Sequence, residues 1–202
     1  MIKYILTALI LGAVAGYLNN NFGNLIANNW VSGYLFDFSL IVLLFLMGLA
    51  FGLNREAVAK LRKAGLKILV VPFSIALGSI LGGLIGGLIL RINVFASMAI
   101  SAGYGWYTLA GPLVGQLFGV EFGALGFIVN FLRELLTIAT ISLTVKIDKY
   151  APIAFGGATS MDTTLPVIVR YSGSESLIMA FSSGFTLSLI APFTITAIAM
   201  LA

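Results

Sequence analysis

The sequence predicts an all-α polytopic membrane protein. It has five full transmembrane helices and two oppositely oriented re-entrant hairpins, each a broken helix, that together form an inverted repeat. Three observations predict this. Of the 202 residues, 60% are hydrophobic and only 9% are charged, the composition of a chain that lives in lipid. Two apolar stretches are interrupted by glycine, polar residues and proline, GYGWYTLAGP at Gly103–Pro112 and GGATSMDTTLPVIVR at Gly156–Arg170. A shift of 54 residues lays one on the other: Gly103 falls on Gly157, Thr108 on Asp162, Pro112 on Pro166, Gly119 on Gly173, Glu121 on Glu175 and Phe127 on Phe181.

Composition also excludes. The chain has no cysteine and no histidine, which rules out a disulfide frame, thiol chemistry and serine–histidine catalysis, and removes the commonest transition-metal ligand. No catalytic residue, metal or cofactor is expected. The formal charge of +4 is concentrated in short loops and not along a stripe with aromatics, so the partner is the bilayer and not nucleic acid.

The first span is Ile2–Leu18, with Lys3 before it and Gly12 and Gly16 spaced for close helix approach. Lys3, the apolar run and Ala13-Val14-Ala15 also fit a cleavable signal peptide. After the asparagine-rich loop Asn19–Ser32 comes the second span, Phe36–Leu53, entered past Asp37. Arg55, Lys60, Arg62, Lys63 and Lys67 against Glu56 then make a cytoplasmic loop by the positive-inside rule. The third span, Leu66–Leu90, carries two glycine ladders at four-residue spacing, Gly78, Gly82 and Gly86 beside Gly83 and Gly87, which predict tight helix contact. It exits at Arg91 and Asn93, outside.

Val94–Phe118 is the first interrupted stretch, and Phe122–Val145 a full span. Asn130, Glu134, Thr137 and Thr144 share one face of that span, with Arg133 about a quarter-turn away. Each charge lies roughly 15–20 Å from either end of the helix and would cost about 2.5–3.5 kcal/mol facing lipid, so these residues face protein or water. Lys146 and Lys149 follow and read as cytoplasmic. If Val94–Phe118 crossed the membrane, those lysines would end outside; if it turns back at its glycine break, they end inside. The second arrangement is expected. Pro152–Ser172 then dips in from the cytoplasm and Ser176–Leu201 runs outward, leaving the N-terminus cytoplasmic and the C-terminus outside. The chain reads as one transport domain over 1–202: a three-span scaffold (1–90), a hairpin with its span (91–145), and a second hairpin with its span (146–202). Secondary transporters built from inverted repeats hold substrate at the midplane between broken segments.

The second interruption places a carboxylate within the bilayer. Thr159, Ser160 and Asp162 are helix-capping types, and Pro166 suits a first helical turn, so a helix is expected to begin there with unpaired N–H groups at its positive end. Glu134 and Asp162 are the candidates to carry substrate ammonium groups or a coupling proton, because a partly desolvated carboxylate can exchange protons in the physiological range. The backbone around Gly157 and the hydroxyls of Thr159, Ser160 and Thr163 would receive a substrate carboxylate. Asn130 joins Glu134 on its face. Trp106 and Tyr107 either stack on an aliphatic stem, gate access or pack at the turn. Arg133 either holds a carboxylate or neutralises Asp162 at rest.

SAGYGWYTLAGPL, the NFLRELL core of the following span, and GGATSMDTTLPVIVR with its serine-rich last span resemble the lysine exporter family of bacterial and archaeal inner membranes, as does LIVLLFLMGLAFG. The likeness runs from Ile2 over nearly the whole chain, and GGATSMDTTLP is its most specific part. It implies export of L-lysine or a related cationic amino acid, driven by protons entering the cell, with the family's intramembrane acidic pair at Glu134 and Asp162. Longer relatives carry an additional N-terminal block of spans missing here, which points to a homo-oligomer or a small membrane partner. Two other classes remain open on the residues: an ion channel or accessory subunit, and an intramembrane aspartyl-type enzyme in which Glu134 and Asp162 share a proton.

Overall fold

The computed structural model describes residues 2–21, scattered positions between 34 and 59, and 66–202 without interruption. The expected second span and the basic loop from Arg55 to Lys63 lie outside the described residues, scattered positions aside. The chain divides into two compact units, Met1–Asn54 and Arg55–Ala202. In the first, helix α1 runs Ile2–Asn21, past the expected end at Leu18, with Leu11, Val14 and Tyr17 exposed.

The second unit is helical, with no strand among the described residues. Its helices are α2 (Val70–Leu90), α3 (Val94–Ser101), α4 (Tyr107–Phe118), α5 (Val120–Ile147), α6 (Ala151–Gly156), α7 (Leu165–Ser172) and α8 (Ser176–Ala199). Among the described residues, α2, α5 and α8 are long and apolar enough to cross a membrane. The other four are too short, since even the 12 residues of α4 rise only about 18 Å against a hydrocarbon layer of about 30 Å.

A 3₁₀ turn, Leu66–Leu69, leads into α2, so the expected third span begins as a tighter coil. The helix ends where Arg91 takes the left-handed conformation (φ 54°) and the Ile92 N–H donates to the Gly87 carbonyl at 3.1 Å. Asn93 then caps α3, its Oδ1 accepting from the Ala96 N–H at 3.0 Å. The chain thereby reverses and α3 lies antiparallel on α2, Gly87 facing Val94 and Ser97 while Gly83 faces Ser97 and Ser101. Only one of the two glycine ladders makes this contact: among the described residues, no atom outside the helix's own backbone lies within 4 Å of where a Cβ would stand on Gly78, Gly82 or Gly86.

Helix α4 lies antiparallel on α5, with Gly115 against Gly123, Gly111 against Phe127 and Ala110 against Gly126. The buried residues of α5, among them Gly123, Gly126, Asn130, Glu134, Thr137, Ile141 and Thr144, recur at steps of three and four, the single polar stripe expected from the sequence. Arg133 of α5 reaches Ser79 of α2, while Asn130 reaches Ile100, one residue before the Ser101 that faces Gly83. The two long helices therefore run antiparallel, and the connection through α3 and α4 leaves and returns at the same end of that pair. At the opposite end Lys149, before α6, pairs with Glu175, before α8, at 2.8 Å.

The internal shift survives in the backbone. Gly119 (φ 106°, ψ 159°) and Gly173 (φ 87°, ψ 160°) take the same glycine-favouring conformation before α5 and α8. The halves differ at their prolines, because Pro112 sits inside α4 whereas Pro166 sits in the first turn of α7. The second interruption stays out of α-helix through Thr164, while the first has rewound by Tyr107.

Gly83→Ala drives its methyl into Ser101 and the Ser97 carbonyl and should destabilise the protein by about 1–3 kcal/mol, whereas Gly82→Ala meets open space and should be neutral or stabilise by up to about 1 kcal/mol. Thermal unfolding in detergent measures the difference. The Lys149 ammonium holds Glu175 below the usual carboxylate range, and Glu175 together with Tyr150 holds Lys149 above its own. Their coupling is thus present above the unfolded glutamate value and lost as pH falls through the lowered Glu175 value; it is equally lost as pH rises through the raised Lys149 value. A double-mutant cycle with Lys149→Met and Glu175→Gln should show coupling at neutral pH and none well below about pH 4.

Candidate functional site

The site is built from two places where helix stops inside an apolar fold, leaving backbone groups that need partners. At the first, α3 ends at Ser101 and the chain turns through Tyr104 (φ 52°) and Gly105 (φ 100°) before α4. Asn130, one turn before Glu134 on α5, satisfies both sides of this turn. Its Oδ1 accepts from the Gly105 N–H at 2.7 Å, and its Nδ2 donates to the carbonyls of Ile100 (2.9 Å) and, within α5, Gly126 (2.8 Å).

At the second, α6 ends at Gly156, a 3₁₀ turn spans Gly157–Met161, and α7 begins at Leu165. Arg133 satisfies the end of α6, its Nε donating to the Phe155 carbonyl and its Nη2 to the Ala154 carbonyl, each at 2.9 Å, and its Nη1 to Ser79 Oγ at 3.0 Å. Ile100 and Ala154 are related by the same 54-residue shift as the glycines, so α5 holds equivalent carbonyls of both halves. Arg133 also lines an open groove of about 510 Å³ with Ser74, Gly78, Ser79, Ala154 and Phe155. No carboxylate accepts from it among the described residues, so the structure places it on carbonyls and not on Asp162.

The two interruptions touch. The Ala158 N–H donates to the Tyr104 carbonyl at 2.8 Å. Gly157 (φ 62°) is required there, because a Cβ would collide with that carbonyl, and across the contact a Cβ on Gly105 would stand 3.0 Å from the Gly156 carbonyl. Tyr104 itself is fully buried, its hydroxyl 3.2 Å from Thr194 Oγ1 on α8.

The expected capping roles of the second interruption are corrected. Thr159 and Ser160 donate backward to the carbonyls of Gly156 (2.9 Å) and Gly157 (2.7 Å), and Ser160 also to Ala180 of α8 (2.9 Å). Asp162 Oδ1 accepts from the N–H of its neighbour Thr163 at 2.5 Å, and α7 begins without a side-chain cap. The 3₁₀ turn puts those hydroxyls on the preceding carbonyls, where they fasten the break and leave the first N–H groups of α7 without a side chain across them.

Glu134 is 3% exposed, and its Oε2 has no hydrogen-bond partner among the described residues. Thr163 and Asp162 lie near its carboxylate, and the Thr163 hydroxyl donates to Asp162 Oδ1 at 3.4 Å. Tyr107, the first residue of α4, interacts electrostatically with both acids and packs edge-on against Phe127 (5.3 Å) and Phe131 (5.4 Å). Of the expected site residues, the structure thus gathers Glu134, Asp162, Thr163 and Tyr107. It uses Asn130, Arg133, Thr159, Ser160 and Gly157 to build the frame, and leaves Trp106 half-buried at the start of α4. Ser79, Tyr104, Phe127 and Phe131 enter the arrangement unforeseen. A serine among the α2 glycines and aromatics one and two turns before Glu134 were the available signals.

The chain matches the family described as lysine exporter LysO over residues 6–199. It is 35% identical over 161 residues to the "Lysine exporter LysO" of Escherichia coli (strain K12), covering 79% of this chain and 53% of that protein, so it spans about half the length of that relative. A relative from Haemophilus influenzae is 30% identical over 190 residues, covering 93% of each chain. No solved structure matches. The family match takes in both interruptions together with Glu134 and Asp162, and the chain belongs to the lysine exporter family.

Proposed function

We propose that this protein is a secondary exporter of L-lysine or a closely related cationic amino acid, exchanging it for protons across the cell membrane. The observation that carries the reading is the Glu134 carboxylate, buried with an unpartnered oxygen and a second acid nearby, where two interrupted helices meet. A buried carboxylate oxygen with no partner among the described residues is costly unless a cation or a proton joins it, and a second acid raises that demand.

Glu134 and Asp162 are assigned to the positive charge, whether substrate ammonium or coupling proton. The uncapped starts of α4 and α7 are assigned to the substrate carboxylate, since helix N-termini present N–H groups and a positive dipole end. Tyr107 with Phe131 offers an apolar wall for the aliphatic stem. The two interruptions are assigned as re-entrant hairpins from opposite faces. Support comes from the antiparallel course of α2 and α5, from arms too short to span, and from Lys67, Lys146 and Lys149, which lie at the end of α2 and α5 opposite Arg91 and read as cytoplasmic.

Reconstituted protein should exchange labelled lysine against internal lysine, and Glu134→Gln should abolish that flux while membrane insertion and melting temperature stay near those of the unsubstituted chain. Retained flux in Glu134→Gln would refute the assignment. Asp162→Asn should shift the pH optimum of flux if Asp162 carries the proton, and raise the lysine concentration needed for half-maximal flux if it touches substrate. Conductance with no exchange would instead identify a channel.

A further inference from the structure

Thr163 stands between the two acids. It follows Asp162 in the chain, and both of its donors turn back to that residue, the N–H to Asp162 Oδ1 at 2.5 Å and the hydroxyl to the same oxygen at 3.4 Å. Its side chain also lies near the Glu134 carboxylate, which comes from α5. The hydroxyl was expected to receive a substrate carboxylate, yet the groups beside it are carboxylates already, and a third is repelled. A hydroxyl has one hydrogen to donate and two lone pairs to accept with, so it can give to one acid while it takes from the other.

The other hydroxyls of the second interruption are committed elsewhere. Thr159 and Ser160 donate to the carbonyls of Gly156 and Gly157, and the Thr164 hydroxyl lies 3.3 Å from that of Thr159. Tyr107 of α4 interacts electrostatically with both acids, but its hydroxyl bonds to neither among the described residues. Arg133, next to Glu134 on α5, is spent on Ser79 and on carbonyls of α6. Glu134, Asp162 and Tyr107 are thus the titratable groups around Thr163 among the described residues. Glu134 Oε2, buried with no partner among them, is free to carry a hydrogen.

We propose that Thr163 is a proton bridge between Glu134 and Asp162, and not a ligand of the substrate carboxylate. With Glu134 protonated and Asp162 ionised, the Glu134 O–H donates to Thr163 Oγ1 while the Thr163 O–H donates to Asp162 Oδ1. Transfer breaks both O–H bonds and forms two others: Thr163 Oγ1 receives the hydrogen of Glu134, and Asp162 receives that of Thr163. Glu134 is left ionised, Asp162 neutral and the threonine unchanged apart from the turn of its hydroxyl, with no net change in charge. The two acids thereby hold one proton in common, and a substrate ammonium drawn to either of them pushes it to the other. The bridge rests on the exporter reading, whose coupling proton it provides with a route.

Reconstituted protein is given a pH gradient, and the rate of gradient-driven net lysine movement is divided by the rate of lysine–lysine exchange measured without one. Thr163→Val, which keeps the shape and removes the hydroxyl, should lower this ratio by about tenfold or more, since a positioned proton-transfer group contributes at least that much where other steps share in limiting the cycle. Thr163→Ser should restore the ratio to within about twofold, and Thr164→Val, which removes the next hydroxyl along, should leave it within about twofold. A ratio that Thr163→Val does not lower, that Thr163→Ser does not restore, or that Thr164→Val lowers equally, overturns the bridge. So does a fall in Tyr107→Phe with none in Thr163→Val, which gives the role to the phenol. Should Thr163→Val fail to insert, Thr163→Ala is compared with Thr163→Ser in its place, with the same deciding outcomes. Lysine exchange without gradient-driven movement in the unsubstituted chain refutes the proton half of the exporter reading and the bridge with it, whereas gradient-driven movement indifferent to Thr163→Val refutes the bridge alone.

Discussion

Everything in the second unit answers one requirement: a helix that stops in an apolar setting must have its exposed N–H and C=O groups met by something other than bulk water. Asn130 meets it for the first interruption and Arg133 for the second, and the two backbones meet it for each other through Ala158 and Tyr104. Because both side chains project from one helix within a single turn, α5 is the part to which both halves of the fold are referred. The close glycine contacts with α4 bring the helix near enough for this to work.

Glu134 follows Arg133 in the chain and lies one turn beyond Asn130. The acid is therefore fixed at the meeting point by the residues that satisfy the interruptions, and its burial is a by-product of the frame. Glu134 is buried and Asp162 exposed, and the two repel one another when both are ionised, which is the basis on which the proposed reading assigns them a positive species.

Much of this was legible in the residues. The glycine turns and the polar stripe on α5 are local or periodic signals and the structure carries them, while the 54-residue shift holds in the backbone at Gly119 and Gly173 but not at Gly103 and Gly157 or at the prolines. What could not be read was partnership. Arg133 was two-sided on paper, with a carboxylate as the expected mate; its actual acceptors are main-chain carbonyls, which every residue possesses and no sequence marks. Thr159 and Ser160 have the chemistry of helix caps, but the 3₁₀ turn directs their hydroxyls backward, a choice set by backbone geometry that residue type does not encode. The two glycine ladders of α2 look alike in sequence, and only the path of α3 decides that Gly83 and Gly87 are the ones in contact. Ser79 gained its role from the same tertiary placement.

Tyr104 adopts a left-handed backbone that a bulky residue takes up at a cost of about 1 kcal/mol or more. Its hydroxyl reaches Thr194 and its carbonyl is met by Ala158, both supplied by later parts of the chain. During synthesis from the N-terminus, the first turn accordingly emerges from the ribosome before the groups that hold it exist. Asn130 of α5 meets the amide and carbonyl sides of the turn, and the Tyr104 carbonyl and hydroxyl find their partners only once the second interruption and α8 have followed.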